Sequence, residues 1–300
     1  MSEPRHIGFI GLGNMGTPMA ANLVRGGHDV MGYDLAPERA RHFAQAHGGK
    51  ATQNLAEIAR HADVVITMLP SGREVRDVLL TAQDGALAAG LRPGSTVVDM
   101  SSADPIGTRR LGADLARRRV ALVDAPVSGG VPGAKDGTLA IMIAGDAQAI
   151  AEVKPVLACL GRKLFEVGTL GCGHAMKALN NYLAGAAEVA ACEAVAIGRR
   201  FGLDPAVMTD VLNASTGRSF VSEQLIKQHV LSGTFGTGFA LGLLAKDVGI
   251  AADLAYEIEV GSPLLELVRT RWDAARDALG GGADHSRAWQ HWEGDATKRR

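Results

Sequence analysis

Three cysteines in 300 residues, Cys159, Cys172 and Cys192, lie outside any C-x-x-C spacing, which leaves no basis for a disulfide framework or a cysteine zinc site. Reduced, buried thiols and a cytoplasmic location are expected instead. Aromatic residues supply only 4% of the chain, and the formal net charge is −1. A basic field able to hold nucleic acid or an anionic membrane surface is absent, so neither is expected as a partner. No charge-free apolar run approaches the length of a membrane span, and the N-terminus passes directly into a strand-like segment instead of a leader. Neither anchor nor export signal is read. Apolar residues reach 47% and glycines number 38. That is ample for a sizeable core, and the length favours two domains.

The glycines carry the first functional signal. Gly11, Gly13 and Gly16 have the spacing G-x-G-x-x-G between a short apolar strand, Ile7–Ile10, and an apolar run, Met19–Val24, that continues as a helix. In this context Gly11 permits a tight turn, Gly13 lets the backbone approach a pyrophosphate, and Gly16 lets the helix pack close to the strand. Leu12, Asn14 and Met15 complete the loop. About twenty residues on, Asp34 closes a second strand-like segment, His28–Tyr33, where a carboxylate can accept both hydroxyls of an adenosine ribose. A dinucleotide cofactor is expected.

Strand-length apolar runs recur at Ile7–Ile10, Val30–Tyr33, Val64–Met68, Thr96–Asp99, Ala121–Asp124 and Leu139–Ala144, with helical stretches between them. Alternation of this kind is the pattern of a doubly wound α/β fold with a parallel sheet covered on both faces. Pro70, Ser101-Ser102 and Pro126-Val-Ser-Gly-Gly130 follow strands and should gather at the carboxyl edge, where such sheets bind ligands. From His174 to Arg200 the chain is Ala-rich, free of proline and apolar almost all round, which predicts a long buried helix joining the sheet to an all-α domain. Further helices are read over Pro205–Ala214, Ser222–Leu231, Leu241–Tyr256 and Pro263–Leu279. The division is placed at residues 1–165 and 166–300. In the tail, Trp289 and Trp292 are expected to support subunit packing, His285 and His291 to lie on the surface, and the polar end at Lys298-Arg-Arg300 to be disordered.

Three constellations can carry chemistry. Lys177 and Asn181 are four apart and face one side of the long helix. An ammonium in such apolar company must be paired, hydrated in a cleft or perturbed, and a perturbed lysine serves as general acid or base. Gly171 and Gly173 are read as room for a ligand at the helix start. Ser128, Gly129 and Gly130 follow a strand end and could cradle a carboxylate with their backbone N–H groups. Lys246, beside Asp247 in a helical pattern, is a cleft candidate or a paired surface lysine.

Together these segments resemble the 3-hydroxyisobutyrate dehydrogenase, or β-hydroxyacid dehydrogenase, family over nearly the whole chain. Gly11 through Leu23 looks like its cofactor signature, Asp124 through Gly130 like its substrate signature, Gly173 through Lys177 to Asn181 like its catalytic signature, and Lys246-Asp-Val-Gly249 like its C-terminal lysine motif. The resemblance implies an N-terminal Rossmann-like domain, a catalytic Lys177, a substrate-contacting Asn181 and a carboxylate site at Ser128, Gly129 and Gly130. It also implies that Lys246 lies near cofactor and substrate, and that Met68, Leu69, Pro70 and Ser102 line the nicotinamide side. Relatives that use NADP commonly carry an Asn-Arg-Thr type sequence where this chain has Tyr33-Asp34-Leu35, whose carboxylate would repel a 2′-phosphate. NAD is therefore expected ahead of NADP, with Arg39 and Arg41 as the opposing feature.

The expected reaction is reversible, NAD-dependent oxidation of a small 3-hydroxy carboxylate to its semialdehyde, with no metal. Reduction of tartronate, succinic or sulfonated semialdehydes would share every motif, and a non-catalytic dinucleotide-binding protein is a remote alternative. The long apolar helix favours a homodimer or homotetramer.

Overall fold

The computed structural model describes residues 3–81 and 87–298, with side chains to residue 293. Arg299 and Arg300, in the tail expected to be disordered, lie outside the described residues. The chain divides into two compact units, Met1–Lys177 and Ala178–Arg300.

The strands of the first unit are β1 (His6–Ile10), β2 (Asp29–Tyr33), β3 (Lys50–Ala51), β4 (Val64–Thr67), β5 (Thr96–Asp99), β6 (Ala121–Asp124), β7 (Val127–Ser128), β8 (Leu139–Ala144) and β9 (Gly161–Gly168). Its helices are α1 (Gly16–Arg25), α2 (Pro37–His47), α3 (Leu55–His61), α4 (Gly72–Arg76), α5 (Leu87–Gly90), α6 (Pro105–Ala116), α7 (Gly130–Asp136) and α8 (Ala147–Leu157). The strands form one sheet in the order β3-β2-β1-β4-β5-β6-β8-β7, with β9 beside β8. From β3 to β6 every pairing is parallel, so the carboxyl ends of β1, β4, β5 and β6 share one edge.

Both faces of the sheet are covered. Ile7, Phe9, Ile66, Val98 and Val123 pack with Met19 and Leu23 of α1 and with Val153 and Leu157 of α8. Ile10, Val65, Val97 and Leu122 point the other way, onto Ile58 of α3 and Leu111 and Leu115 of α6. Each such side chain contributes about 1.5–3 kcal/mol of burial, which fixes the strand register because a one-residue slip would exchange the two sets. Helix starts are set by short polar caps: Asp104 accepts from Ile106 N (3.1 Å) and Gly107 N (2.7 Å) ahead of Pro105 in α6, and Asp146 caps α8 in the same way.

The sheet is not wholly parallel. After β6 the chain turns back through β7 and α7, so β8 runs antiparallel to both β6 and β7. The strands β3, β7 and β9 are absent from the sequence reading. Two are only two residues long, and most of β9 is exposed and carries Arg162, Lys163 and Glu166, so no apolar run marks it.

Helix α9 (Cys172–Phe201) begins in the first unit and continues into the second, which is built from α10 (Pro205–Asn213), α11 (Phe220–Gln224), α12 (Leu241–Glu257), α13 (Pro263–Leu279) and α14 (Ala288–Lys298). The helix read over Ser222–Leu231 is in fact two pieces. Ser219 and Ser222 form a capping box at α11, and a π-helical segment, Ile226–Leu231, follows. Val195, Ile226, Leu241, Val248 and Val268 form the core of this unit with Trp272, Trp289 and Trp292. The tail tryptophans thus fill their own subunit's interior: Trp272 and Trp292 meet edge to face at 5.0 Å, and Trp272 Nε1 donates to the Gly185 carbonyl at 3.2 Å. His285 is not a surface residue. Its Nδ1 lies 2.9 Å from Oε2 of the buried Glu188. Burial pulls the imidazole pKa down, but the hydrogen bond and charge of Glu188 outweigh it and leave the pKa raised. Cys192 is buried, with its thiol pushed up to about 12 chiefly by that burial, whereas Cys159 and Cys172 are only half-buried. No described helix is long and apolar enough to cross a membrane.

Candidate active site

Each glycine of the first loop answers to a different constraint. Gly11 has φ +96°, a left-handed value that favours glycine, and a Cβ there would run into the Met68 carbonyl. At Gly16 a Cβ would overlap the Gly11 carbonyl, so α1 could not approach β1. Gly13 has neither restriction: an added Cβ meets nothing within 4 Å. Its bare backbone therefore faces open space beside the start of α1, a helix with no side-chain cap and no acidic residue in its first turn. A dinucleotide pyrophosphate fits this place, because the helix start offers N–H groups and the positive end of its dipole. Asn14 is exposed on the loop and Met15 is half-buried.

Asp34, just past β2, is almost fully buried and braces this loop. Its Oδ2 accepts from Leu12 N at 2.8 Å and its Oδ1 from Ala36 N at 2.9 Å. Arg39 places Nη1 3.6 Å from the same Oδ1. The opposing guanidinium noted in the sequence is thus paired with the carboxylate it was set against.

Beyond β4 and β5 a second polar group holds the loops. Thr67 Oγ1 and Ser101 N both donate to Asp99 Oδ1, at 2.9 and 3.0 Å, and Ser101 Oγ accepts from Leu69 N at 3.0 Å. Met68, Leu69 and Pro70 are therefore positioned by the neighbouring strand, with Ser102 half-buried next to Ser101. Ser128 ends β7 half-buried. Gly129 and Gly130 follow it exposed, at φ +131° and +59°, conformations that a side chain would strain.

The start of α9 is fastened by Asp124, the last residue of β6. Its Oδ1 accepts from Gly171 N and its Oδ2 from His174 N, both at 2.8 Å, so a carboxylate about fifty residues away caps the helix. Burial pushes the Asp124 carboxyl above the usual range, against the pull of His174 and these two N–H bonds. The glycines here were read as room for a ligand, and the structure corrects that. A Cβ at Gly173 would press on the Met142 carbonyl and lie 2.8 Å from Asp124 Oδ2, and one at Gly171 would lie 2.9 Å from the Pro105 carbonyl. The space is filled by the protein itself. Lys177 follows one turn after Gly173, half-buried, and Asn181 one turn later.

In the second unit, Asn181 Nδ2 donates to Asp247 Oδ2 at 2.6 Å, with both residues buried. Lys246 Nζ lies 3.4 Å from Asp247 Oδ1. Asp247 is thus a partner to both polar residues that the sequence singled out, and it orients the Asn181 amide. Sequence reasoning placed Ser101 at the carboxyl edge but gave no role to Asp99 or His174. The recurrence of a polar residue directly after an apolar strand, at Asp99 and Asp124 alike, was the available signal.

Among the described residues, His6, Asp29 and His61 form one group whose ligand atoms lie within 4.8 Å of one another. It sits at the amino ends of β1 and β2, and Lys50 Nζ already stands 2.8 Å from Asp29 Oδ2. Burial works against the Asp29 charge, but hydrogen bonds from Lys50 and His6 and the nearby His61 hold its carboxyl below the usual range.

Comparison with known proteins accords with this geometry. Residues 6–168 match the NAD binding domain of 6-phosphogluconate dehydrogenase, and residues 171–292 match the NAD-binding domain of NADP-dependent 3-hydroxyisobutyrate dehydrogenase. The chain is 35% identical to 2-(hydroxymethyl)glutarate dehydrogenase of Eubacterium barkeri, across 98% of this chain and 96% of that protein. It is 36% identical to 3-hydroxyisobutyrate dehydrogenase of Pseudomonas aeruginosa, across 93% and 96%. A solved structure of Mycobacterium tuberculosis 3-hydroxyisobutyrate dehydrogenase with L-serine superposes with a TM-score of 0.88 at 32% identity, covering 96% of this chain and 99% of that one. Glycine loop, family models and full-length relatives agree: the chain belongs to the 3-hydroxyisobutyrate dehydrogenase, or β-hydroxyacid dehydrogenase, family, and is an NAD(P)-dependent dehydrogenase of 3-hydroxy acids.

Proposed function

We propose that this protein oxidises a small 3-hydroxy carboxylate to its semialdehyde, reversibly, with Lys177 as general acid and base. The observation that carries this reading is that one residue, Asp124, both begins the segment leading to Ser128, Gly129 and Gly130 and caps the helix that bears Lys177. A carboxylate held by the Ser128 hydroxyl and the adjacent N–H groups leaves the 3-hydroxyl of the same small molecule for Lys177 Nζ, with the Asn181 amide one helical turn on as a second contact. A nicotinamide held at this edge would supply the hydride chemistry. Lys177, in its neutral form, takes the hydroxyl proton during oxidation and returns it to the carbonyl oxygen during reduction. Gly11 through Gly16 and Asp34 would hold the pyrophosphate and ribose, and Met68, Leu69, Pro70 and Ser102 the nicotinamide side.

NAD is proposed ahead of NADP, because the Asp34 carboxylate would face a 2′-phosphate. Arg39, within 3.6 Å of Asp34, is the residue through which NADP could still be accepted, and a solved relative at 28% identity is in complex with NADP+. The substrate class is bounded by relatives named for 3-hydroxyisobutyrate, L-serine and 2-(hydroxymethyl)glutarate. Among these, 3-hydroxyisobutyrate is our first choice. The test is a panel of those acids and their semialdehydes, run with both cofactors. Lys177→Ala should lower kcat by about 10²–10⁴ with folding intact, and near-normal turnover would remove the assignment. A homodimer or homotetramer is also proposed, because Leu183, Ile197 and Phe201 on α9 and Val207 and Val211 on α10 are more than half exposed. Light scattering of the purified protein decides this point. The reduced cysteines suit a cytoplasmic location.

A further inference from the structure

We propose that His174 is a positioning residue for Lys177, a role that rests on the reading of Lys177 as the acid and base. His174 lies in the first turn of α9 with its side chain fully buried, three residues before Lys177. Its ring reaches two elements. On one side Nδ1 is 2.8 Å from Thr108 Oγ1 of α6. On the other, Nε2 faces Asp99 Oδ2 of β5 at 3.6 Å and has no hydrogen-bond partner at closer range.

Thr108 Oγ1 lies 2.9 Å from the Asp104 carbonyl, so with the hydroxyl proton directed to that carbonyl Nδ1 donates to Thr108. Nε2 and Asp99 Oδ2 face each other, both buried. Asp99 Oδ1 is already held by Thr67 and Ser101, and Asp124 Oδ2 stands 3.9 Å from Nδ1, so the ring lies between two carboxylates at the ends of adjacent, in-register strands.

The consequence is geometric. Asp124 fixes the backbone of the first turn of α9 through two N–H groups. The His174 side chain ties the same turn to α6 and reaches β5, which resists rotation of the helix about its axis. Lys177 lies about 5 Å further along the helix, so a small roll at residue 174 displaces Nζ from the reacting oxygen, and a misplacement near 1 Å can cost about 10²-fold in rate. No step of the reaction uses the imidazole itself.

The test uses the full-length protein with saturating NAD and the best acid of the panel, in protonated form and deuterated at the carbinol carbon. His174→Leu, His174→Asn and Thr108→Val are compared with the parent enzyme. Asparagine retains a donor near the Nδ1 position but not the reach to Asp99, and Thr108→Val removes the acceptor while leaving the ring. For His174→Leu we expect kcat to fall roughly 10- to 100-fold per NAD-binding site, with KM and the NAD Kd changed less than about threefold and the isotope effect on kcat raised, because the chemical step becomes limiting. His174→Asn should recover part of the loss, and Thr108→Val should show a smaller loss of the same kind. A purely structural role would lower Tm and the active fraction without changing kcat per site or the isotope effect, and that result overturns the proposal. If His174→Leu does not fold, the asparagine and Thr108→Val variants decide by the same criterion. Should Lys177→Ala keep near-normal turnover, the reading of Lys177 fails instead, whatever the His174 variants do.

Discussion

The two edges of the sheet use the same residue types to opposite ends. At the carboxyl edge, Asp99 and Asp124 are buried, and each accepts from backbone N–H groups of a loop or helix start. At the amino edge, Asp29 pairs with Lys50 and hydrogen-bonds His6, and Asp63 pairs with Arg92, in half-exposed contacts at 2.5–3.1 Å. A buried carboxylate whose partners cannot turn to water is costly to remove, whereas an exposed pair exchanges readily with solvent and salt. Geometry at one edge is therefore fixed by its charges. At the other edge the charges only decorate it.

The sharpest way to break this contrast is Asp124→Leu, which leaves two buried N–H groups without an acceptor at nearly constant volume. We expect a loss of about 2–4 kcal/mol by denaturant titration, together with loss of turnover as the start of α9 comes free. Next in size is Gly13→Ala. Because a Cβ there meets no protein atom, stability should stay within about 0.5 kcal/mol while NAD binding, measured calorimetrically, weakens about tenfold or more, roughly 1.4 kcal/mol. Unchanged affinity would show that the open space at Gly13 is not cofactor space. The smallest effect belongs to the amino edge. Asp29→Asn should cost no more than about 1 kcal/mol and leave kcat unchanged.

The pH dependence has a definite sign at that edge. The Asp29 carboxyl titrates lower in the folded chain than in the unfolded one. Its contribution to stability is therefore present above the ordinary aspartate range and is lost as pH falls through the folded value. Thermal scans of the parent and Asp29→Asn should converge in acid and also, at neutral pH, in about 0.5 M salt. A gap that persists in salt would mean that the pair is not screened and that the two edges are alike in this respect.

Much of this contrast could be read from the chain. The apolar runs at Ile7, Val30, Val64, Thr96, Ala121 and Leu139 mark the strands, because a central strand must be apolar on both faces. Gly11, Gly16, Gly129 and Gly130 were legible because backbone conformation and close approach leave no other residue type. The missing pieces depend on register. Nothing near Asp99 in sequence indicates that β5 lies beside β6, so its pairing with Asp124 and the reach of His174 to both could not be foreseen. The same holds for Asn181 and Asp247, 66 residues apart on two helices. At β9 the periodicity itself was lacking, since an exposed strand paired on β8 needs no apolar run.

The capping of α9 from β6 also reverses an ordinary order of fraying. Amide hydrogens in the first turn of a helix usually exchange with solvent fastest, since nothing within the helix accepts them. Here the Gly171 and His174 amides end on a carboxylate with no solvent exposure. In deuterium oxide they should be released only when β6 itself opens, so two amides at a helix end become clocks for the unfolding of a sheet.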